Sequence, residues 1–174
     1  MRVMVGQVWS EPGRIIGAMS TRRSAGILLF RRHGGRSEVL LAHPGGPLYA
    51  TRDAGHWSVP KGEPDGDEPL LDVARREFAE ETGHAPPGGE PIDLGSIQQK
   101  GGKIVHAWAL EGDLDPSSAH SNTFQMEWPP RSGQRITVPE IDRVEWFDLD
   151  EARHRIKATQ IPLLDRLEVA LDAP

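Results

Sequence analysis

Apolar runs separated by glycine and proline dominate the first third of the chain and indicate strands. Ser24–Phe30 is a continuous apolar run, and after the turn at Gly34-Gly35 a second run follows at Glu38–His43, so the pair predicts a β-hairpin. The pattern then breaks at Pro44–Pro47, and a loop leads to a short predicted strand over His56–Pro60.

The pattern changes to helical spacing at Pro69–Thr82. Pro69 suits a first helical position, Glu68 places a negative charge near the positive end of the helix, and Gly83 is a typical stop. The predicted apolar stripe of this helix consists of Leu70, Leu71, Ala74 and Phe78.

Further short elements follow this helix. We predict strands over Ile92–Gln98, Lys103–Leu110, Phe124–Trp128 and Val144–Phe147, and helices over Leu149–Ile156 and Ile161–Leu171. The chain carries no internal repeat, and its 174 residues correspond to roughly one domain. We therefore expect one α+β (mixed α/β) domain over residues 21–174, preceded by a peripheral extension over residues 1–20.

Composition narrows the possible partners. Lys plus Arg number 20 and Asp plus Glu number 26, a net charge of −6, so the chain lacks the basic footprint expected for binding duplex nucleic acid or an anionic membrane. There is no cysteine, which excludes thiolate chemistry, and no apolar run approaches the roughly 18 residues of a membrane span. Without an apolar signal-peptide core at its start, the chain is expected to be cytoplasmic.

Three carboxylates are the candidate chemistry of the predicted helix. Glu77, Glu80 and Glu81 are spaced i, i+3 and i+4, and we expect them on a face largely opposite the apolar stripe. Like charges at this spacing repel each other and favour a bound cation, and Mg²⁺ or Mn²⁺ takes such oxygen ligands. The alternative is a solvated acidic face, with Arg75 and Arg76 supplying countercharge.

The sequence around the helix makes the metal interpretation stronger. From Gly62 the chain reads Gly, five residues, Glu68, seven residues, Arg76-Glu77-Phe78, one residue, Glu80-Glu81, one residue and Gly83. This spacing resembles the signature of the Nudix hydrolases, which cleave nucleoside diphosphates linked to another moiety. Every fixed position is filled, and the one departure is His84, where the family usually has an aliphatic residue.

The resemblance implies a fold and a set of roles. The fold would be a mixed β-sheet sandwiched between helices. Glu77, Glu80 and Glu81 would be metal ligands together with the Gly62 carbonyl, and Arg76 would orient the acidic cluster. Glu68 would support the geometry of the loop and helix.

The implied activity is Mg²⁺-dependent hydrolysis of a pyrophosphate bond in a small-molecule nucleoside polyphosphate, either a nucleoside triphosphate or a dinucleoside polyphosphate, by metal-activated water. Glu80, Glu81 or Glu140 could act as general base. Lys61 and Lys103 are candidates for contacting the phosphates, and Lys100 is a further one. The alternative function is a non-catalytic nucleotide-binding or regulatory module on the same fold.

Overall fold

Eight strands and three α-helices make up the part of the chain that the structure, a computed structural model, describes, residues 21–173. The predicted extension over residues 1–20 lies outside these described residues. The strands are β1 Arg23–His33, β2 Arg36–Pro44, β3 Lys61–Gly62, β4 Ile92–Gln98, β5 Ile104–Glu111, β6 Thr123–Glu127, β7 Arg135–Pro139 and β8 Ile141–Asp148. The helices are α1 Leu70–Thr82, α2 Leu149–Arg155 and α3 Ile161–Asp172.

A mixed sheet organises the fold, with the strand order β4-β5-β1-β2-β8 and with β3 beside β1. The central strand β1 runs parallel to β5 and antiparallel to its other neighbours. The end of β1 pairs with β2, with Phe30 opposite Val39, whereas its beginning pairs with β3, with Ala25 opposite Gly62. This change of partner brings the segment that precedes α1 to the middle of the sheet.

Helices cover both faces of the sheet. On one face, Ile27 and Leu29 of β1 pack with Phe78 of α1. On the other face, Leu28 of β1 belongs to a second buried cluster with residues of α2 and α3, including Leu164. Because β1 is buried on both faces, its sequence is a continuous apolar run rather than an alternating one. The predicted α+β sheet sandwiched between helices is confirmed.

Two local predictions were wrong. The segment His56–Pro60 is not a regular strand, because Trp57 and Ser58 make only isolated bridges, to Ile156 and Ala42 respectively. Strand β7 was not predicted, since its five residues contain no continuous apolar run, and it pairs with β6 in a separate two-stranded ribbon. In the described part of the chain, none of the helices has both the length and the apolar character that crossing a membrane requires.

Candidate active site

Helix α1 is fixed at both ends by local backbone geometry. Pro69 is the residue before the first helical position rather than the first position itself, so the helix begins at Leu70. At the other end Gly83 adopts a left-handed conformation with φ 75°, and its N–H donates to the carbonyl of Ala79 at 2.8 Å. Glycine is favoured there because this conformation costs other residues roughly 1–2 kcal/mol.

Strand β3 places the backbone of Gly62 directly against helix α1. A Cβ atom at Gly62 would collide with the carboxylate of Glu77, so only glycine allows this approach. The Glu77 side chain is 13% exposed. The structure therefore brings together two of the residues predicted as metal ligands, one on each side of the loop that joins β3 to α1.

Arg76 connects the loop to the carboxylates of the helix. Its Nη1 donates to Glu77 at 2.8 Å and to Glu80 at 3.4 Å. Its Nη2 donates to Glu68 at 2.9 Å and to the backbone carbonyl of Glu63 at 3.0 Å. One guanidinium thus holds the loop and two of the three clustered carboxylates, in the arrangement that the resemblance implied for this arginine.

Glu81 does not lie opposite the apolar stripe, and that expectation was wrong. At 3.6 residues per turn, Glu81 falls between Leu70 and Ala74 when the helix is viewed along its axis. Its carboxylate points to the sheet and accepts a hydrogen bond from the backbone N–H of Lys61 at 3.1 Å. Glu81 is therefore a partly buried acid facing β3, whereas Glu80, with 38% of its side chain exposed, faces solvent.

Glu140 reaches the same region from another part of the fold. It lies between β7 and β8, where its N–H donates to the carbonyl of Asn122 at 2.9 Å and its carbonyl accepts from Gly45 at 2.9 Å. Asn122 in turn donates its N–H to the carbonyl of Glu80 at 3.1 Å, which ties this segment to α1. The negative charge of Glu140 acts on both Glu77 and Glu81.

The pKa values of Glu77 and Glu81 are both raised, because burial and neighbouring carboxylates outweigh the nearby cations. Burial raises the pKa of Glu77, the Arg76 side chain opposes the rise, and the charges of Glu80 and Glu140 add to it. Burial also raises the pKa of Glu81, with the positive charge of Lys61 acting against it. Burial is thus the main cause of both upward pKa shifts, and neighbouring carboxylate charges add to them.

Lysine side chains lie on the sheet side of this cluster. Burial lowers the pKa of Lys61, Glu81 opposes that shift, and the charges of Lys157 and Lys103 reinforce it. The Nζ of Lys103 donates to Glu63 at 2.9 Å, so this predicted phosphate contact is paired with a carboxylate of the loop.

The oxygen atoms of the candidate ligands are of the type that a hard divalent cation prefers, although Glu77 and Glu80 are paired with Arg76. Carboxylate and carbonyl oxygens are the ligands that Mg²⁺ and Mn²⁺ prefer. Within residues 21–173, no group of three or more acidic or histidine side chains is arranged to enclose a metal ion. Glu77 and Glu80 instead share the Nη1 of Arg76, so a cation would compete with the guanidinium for them.

One residue at this site was missed by the sequence reasoning. Lys157 follows α2, distant in sequence from every motif, yet its charge acts on Lys61. The available signal was the scarcity of lysine, since the chain contains only four. The sequence also offered Glu140 as a candidate outside the helix, and the structure places its charge near Glu77 and Glu81, but strand β7 of the ribbon that leads to it was not predicted.

Known proteins resemble this chain in sequence. A family model described as NUDIX domain matches residues 20–167. The RNA pyrophosphohydrolase of Bartonella henselae is 41% identical over 66 residues, a segment that covers 36% of this chain and 35% of that protein.

Solved structures resemble it in fold. An Ap4A hydrolase of Caenorhabditis elegans, in a binary complex, superposes with a TM-score of 0.59 at 22% identity, covering 85% of this chain and 97% of that one. The NUDIX domain of Shewanella oneidensis NrtR, complexed with ADP ribose, gives a TM-score of 0.58 at 18% identity, with 91% and 94% covered. At these identities the likeness shows a shared fold.

Proposed function

The chain belongs to the Nudix family, and we propose that it hydrolyses a pyrophosphate bond in a nucleoside polyphosphate with the help of a divalent cation, Mg²⁺ or alternatively Mn²⁺. The observation that carries this proposal is the contact between the Glu77 carboxylate and the backbone of Gly62, with Glu80, Glu81 and Glu140 around it. Such a concentration of acidic oxygens is suited to a hard cation.

The residues that would hold the cation are Glu77, Glu80 and Glu81, with the carbonyl of Gly62. When bound, a divalent cation would neutralise phosphate oxygens and supply an activated water as nucleophile. Arg76 would keep the carboxylates oriented, since its planar group donates to several of them at once. Lys61, next to Gly62 in β3, would contribute a positive charge for the phosphates.

We assign the general-base role to Glu140. Glu77 and Glu80 are bound by Arg76, and Glu81 accepts the N–H of Lys61. The Glu140 side chain, by contrast, is exposed, and within residues 21–173 it forms no ion pair. A carboxylate on a separate loop, anchored through its backbone, is free to accept a proton from water at the cluster.

The experiment that tests the proposal is a substrate panel with the purified full chain. It contains nucleoside triphosphates, dinucleoside polyphosphates, ADP-ribose, diphosphoinositols and an RNA with a 5′-triphosphate, each incubated with Mg²⁺, with Mn²⁺ or with EDTA. We expect metal-dependent release of phosphate-containing products from at least one nucleoside polyphosphate. Product analysis in ¹⁸O-labelled water then identifies the phosphorus that is attacked.

Nucleotide binding without hydrolysis would favour the alternative function. Tight binding of a nucleotide with no turnover under any metal condition would overturn the hydrolase proposal and favour the non-catalytic nucleotide-binding module. Retention of Glu77, Glu80 and Glu81 argues against that alternative, since a module without catalysis has no need for a strained acidic cluster.

A further inference from the structure

The fold brings the four lysines of the chain near one another. Lys61 lies in β3, Lys100 in the turn between β4 and β5, Lys103 just before β5, and Lys157 just after α2. These residues are up to 96 positions apart in the sequence (157 − 61). In a chain with a net charge of −6, this local concentration of positive charge is not a consequence of composition.

Backbone contacts hold the lysine-bearing segments near one another. The N–H of Lys157 donates to the carbonyl of Trp57 at 2.9 Å, only four residues before Lys61 (61 − 57). The N–H of Gln99 donates to the carbonyl of Lys103 at 2.8 Å and closes the turn that carries Lys100. The charges of Lys103 and Lys157 both act on Lys61.

A cavity of about 380 Å³ lies between the β4–β5 turn and the segment that follows α2. Its lining residues are Gly55, Gln99, Lys100, Lys157, Ala158 and Thr159. This lining contains two ammonium groups, an amide and a hydroxyl, all of them hydrogen-bond donors, but no carboxylate and no aromatic ring. Such a lining suits phosphate oxygens and offers no stacking surface for a nucleobase.

The two lysines that line this cavity have no carboxylate partner within the described residues. Lys103 is paired with Glu63, and Lys61 faces Glu81. Within residues 21–173, by contrast, neither Lys100 nor Lys157 forms an ion pair or a side-chain hydrogen bond. Holding like charges together without a partner is unfavourable, and a bound anion removes that cost.

We propose that this cavity is an anion subsite that continues the active site and receives phosphates beyond the bond that is cleaved. The inference rests on the proposed function for its connection to catalysis. The two phosphates of the cleaved link would lie at the acidic cluster and Lys61. Lys157 and Lys100, which line the cavity, would then contact the further phosphates of a longer chain. The favoured substrate is accordingly a nucleoside polyphosphate with additional phosphates rather than a diphosphate-linked compound such as ADP-ribose.

Binding of inorganic tripolyphosphate to the metal-free full chain tests the subsite directly. With EDTA present, calorimetry should show binding to the wild type, and Lys100→Ala and Lys157→Ala should each weaken it roughly 10-fold, since a charged hydrogen bond contributes about 1.5–3 kcal/mol. Lys157→Arg should restore much of the affinity. Equal affinity in the wild type and both alanine variants would overturn the subsite.

Arg32→Ala is the matched control, because it removes one exposed positive charge from the far end of β1. Arg32 is six residues along the strand from Gly26, which pairs with Lys61, a separation of roughly 20 Å. Its affinity for tripolyphosphate should equal that of the wild type. A loss as large as that of the lysine variants would show a general charge effect and would also overturn the subsite.

Steady-state kinetics separate the subsite from the hydrolase proposal. Lys100→Ala, in the exposed turn, should raise KM for a dinucleoside tetraphosphate roughly 10-fold with kcat retained, and leave KM for ADP-ribose unchanged. An identical effect on both substrates would contradict the inference while hydrolysis itself stands. If no substrate is hydrolysed but tripolyphosphate still binds through the lysines, the hydrolase proposal fails and the subsite remains.

Discussion

Arg76 shows how one side chain organises the site. Its guanidinium binds Glu77, Glu80 and Glu68 and also reaches the backbone of Glu63, so it connects the loop and the helix. A lysine could not make this set of contacts, because it lacks the planar arrangement of five donors. The same contacts mean that a cation entering the site must share these carboxylates with the arginine.

Glu80→Gln is the clearest test of the acidic cluster. We expect kcat to fall about 100-fold or more, since metal-assisted charge neutralisation supplies several kcal/mol and each 1.4 kcal/mol is about tenfold in rate. The Tm should change little, because the side chain is exposed and such ion pairs contribute about 0–1 kcal/mol. Glu81 is less suitable, as its partly buried carboxylate accepts the Lys61 N–H.

The control is Glu38→Gln. Glu38 is also paired with an arginine, Arg31 at 2.8 Å, but it lies at the far end of the β1–β2 pair. The Glu38→Gln substitution should leave kcat at the wild-type value. Wild-type turnover in Glu80→Gln would contradict the assigned role.

Glu140→Gln should separate proton transfer from metal binding. As the assigned base, Glu140 should contribute about 10²–10⁴-fold to kcat. The stabilisation of the protein by Mg²⁺ should be retained in Glu140→Gln and reduced in Glu80→Gln. A variant Glu140→Gln with unchanged kcat would transfer the base role to Glu80 or Glu81.

Two of the carboxylate partners of Arg76, Glu77 and Glu68, should affect the pH dependence of stability with opposite signs. Burial raises the pKa of Glu77, whereas hydrogen bonding to Arg76 lowers the pKa of Glu68. Glu77 therefore contributes most stability below its ordinary value of 4.5, and this contribution is lost as the pH rises above that value. Glu68 contributes above 4.5, and its contribution is lost as the pH falls.

In EDTA, the free energy of unfolding of Glu77→Gln relative to the wild type should thus increase as the pH rises from about 4 towards neutrality. For Glu68→Gln the same difference should decrease. Urea titrations across this pH range measure both. The same slope for the two variants would contradict the assigned environments.

At the scale of elements, the position of α1 decides which carboxylates face the sheet. Its buried residues are Val73, Ala74, Phe78 and Thr82. Glu81 lies within the angular range of these residues and points to β3, while Glu80 lies outside it. Small changes in where this helix ends would therefore alter the site.

The end of α1 can be tested with Gly83→Ala. The substitution places a Cβ in a left-handed conformation and also in collision with the ring of His120. The conformation alone costs roughly 1–2 kcal/mol, and the exposed ring of His120 must also move aside. Urea denaturation should show a decrease in unfolding free energy of at least the conformational cost.

Gly133→Ala is the matched control for the conformation. Gly133 also has a positive φ, of 73°, but no atom lies within 4 Å of an added Cβ. The unfolding free energy of Gly133→Ala should fall only by the cost of the left-handed conformation, roughly 1–2 kcal/mol. Equal losses at the two positions would show that the contact with His120 contributes nothing.

At the scale of the molecule, the site lies where separate parts of the fold meet. The first half of β1 pairs with β3 and the second with β2, so the loop before α1 enters the sheet beside its central strand. The segment after the β6–β7 ribbon adds Glu140, and the segment after α2 adds Lys157. No single stretch of sequence contains all of these residues.

If the proposed metal site is correct, Mg²⁺ should stabilise the whole protein, because the cluster that would bind it exists only in the folded state. At a concentration 100 times its Kd, a ligand adds about 2.7 kcal/mol to the free energy of unfolding. Thermal unfolding should therefore show a Tm that rises with Mg²⁺ in the wild type and rises less in Glu80→Gln. NaCl at equal ionic strength is the control, and a Tm that ignores Mg²⁺ would contradict a metal site in the free protein.

The sequence was sufficient for the helix α1, the central strands and the spacing of the acidic residues. These depend on local periodicity, on Gly83 as a helix stop and on residues that are neighbours in the chain. The family resemblance added the roles proposed for Gly62 and Arg76, which stay predictions, and the fold that it implied is confirmed.

Only the tertiary structure decided which distant residues meet. Helical spacing already places Glu81 between Leu70 and Ala74 of the apolar stripe, but only the packing of α1 on the sheet gives its carboxylate a partner, the N–H of Lys61. Strand β7 was not predicted because its five residues contain no continuous apolar run, and Lys157 was not predicted because nothing near it in sequence marks a site. Local sequence determines periodicity and turns, whereas pairing across long separations depends on how the sheet closes around its core.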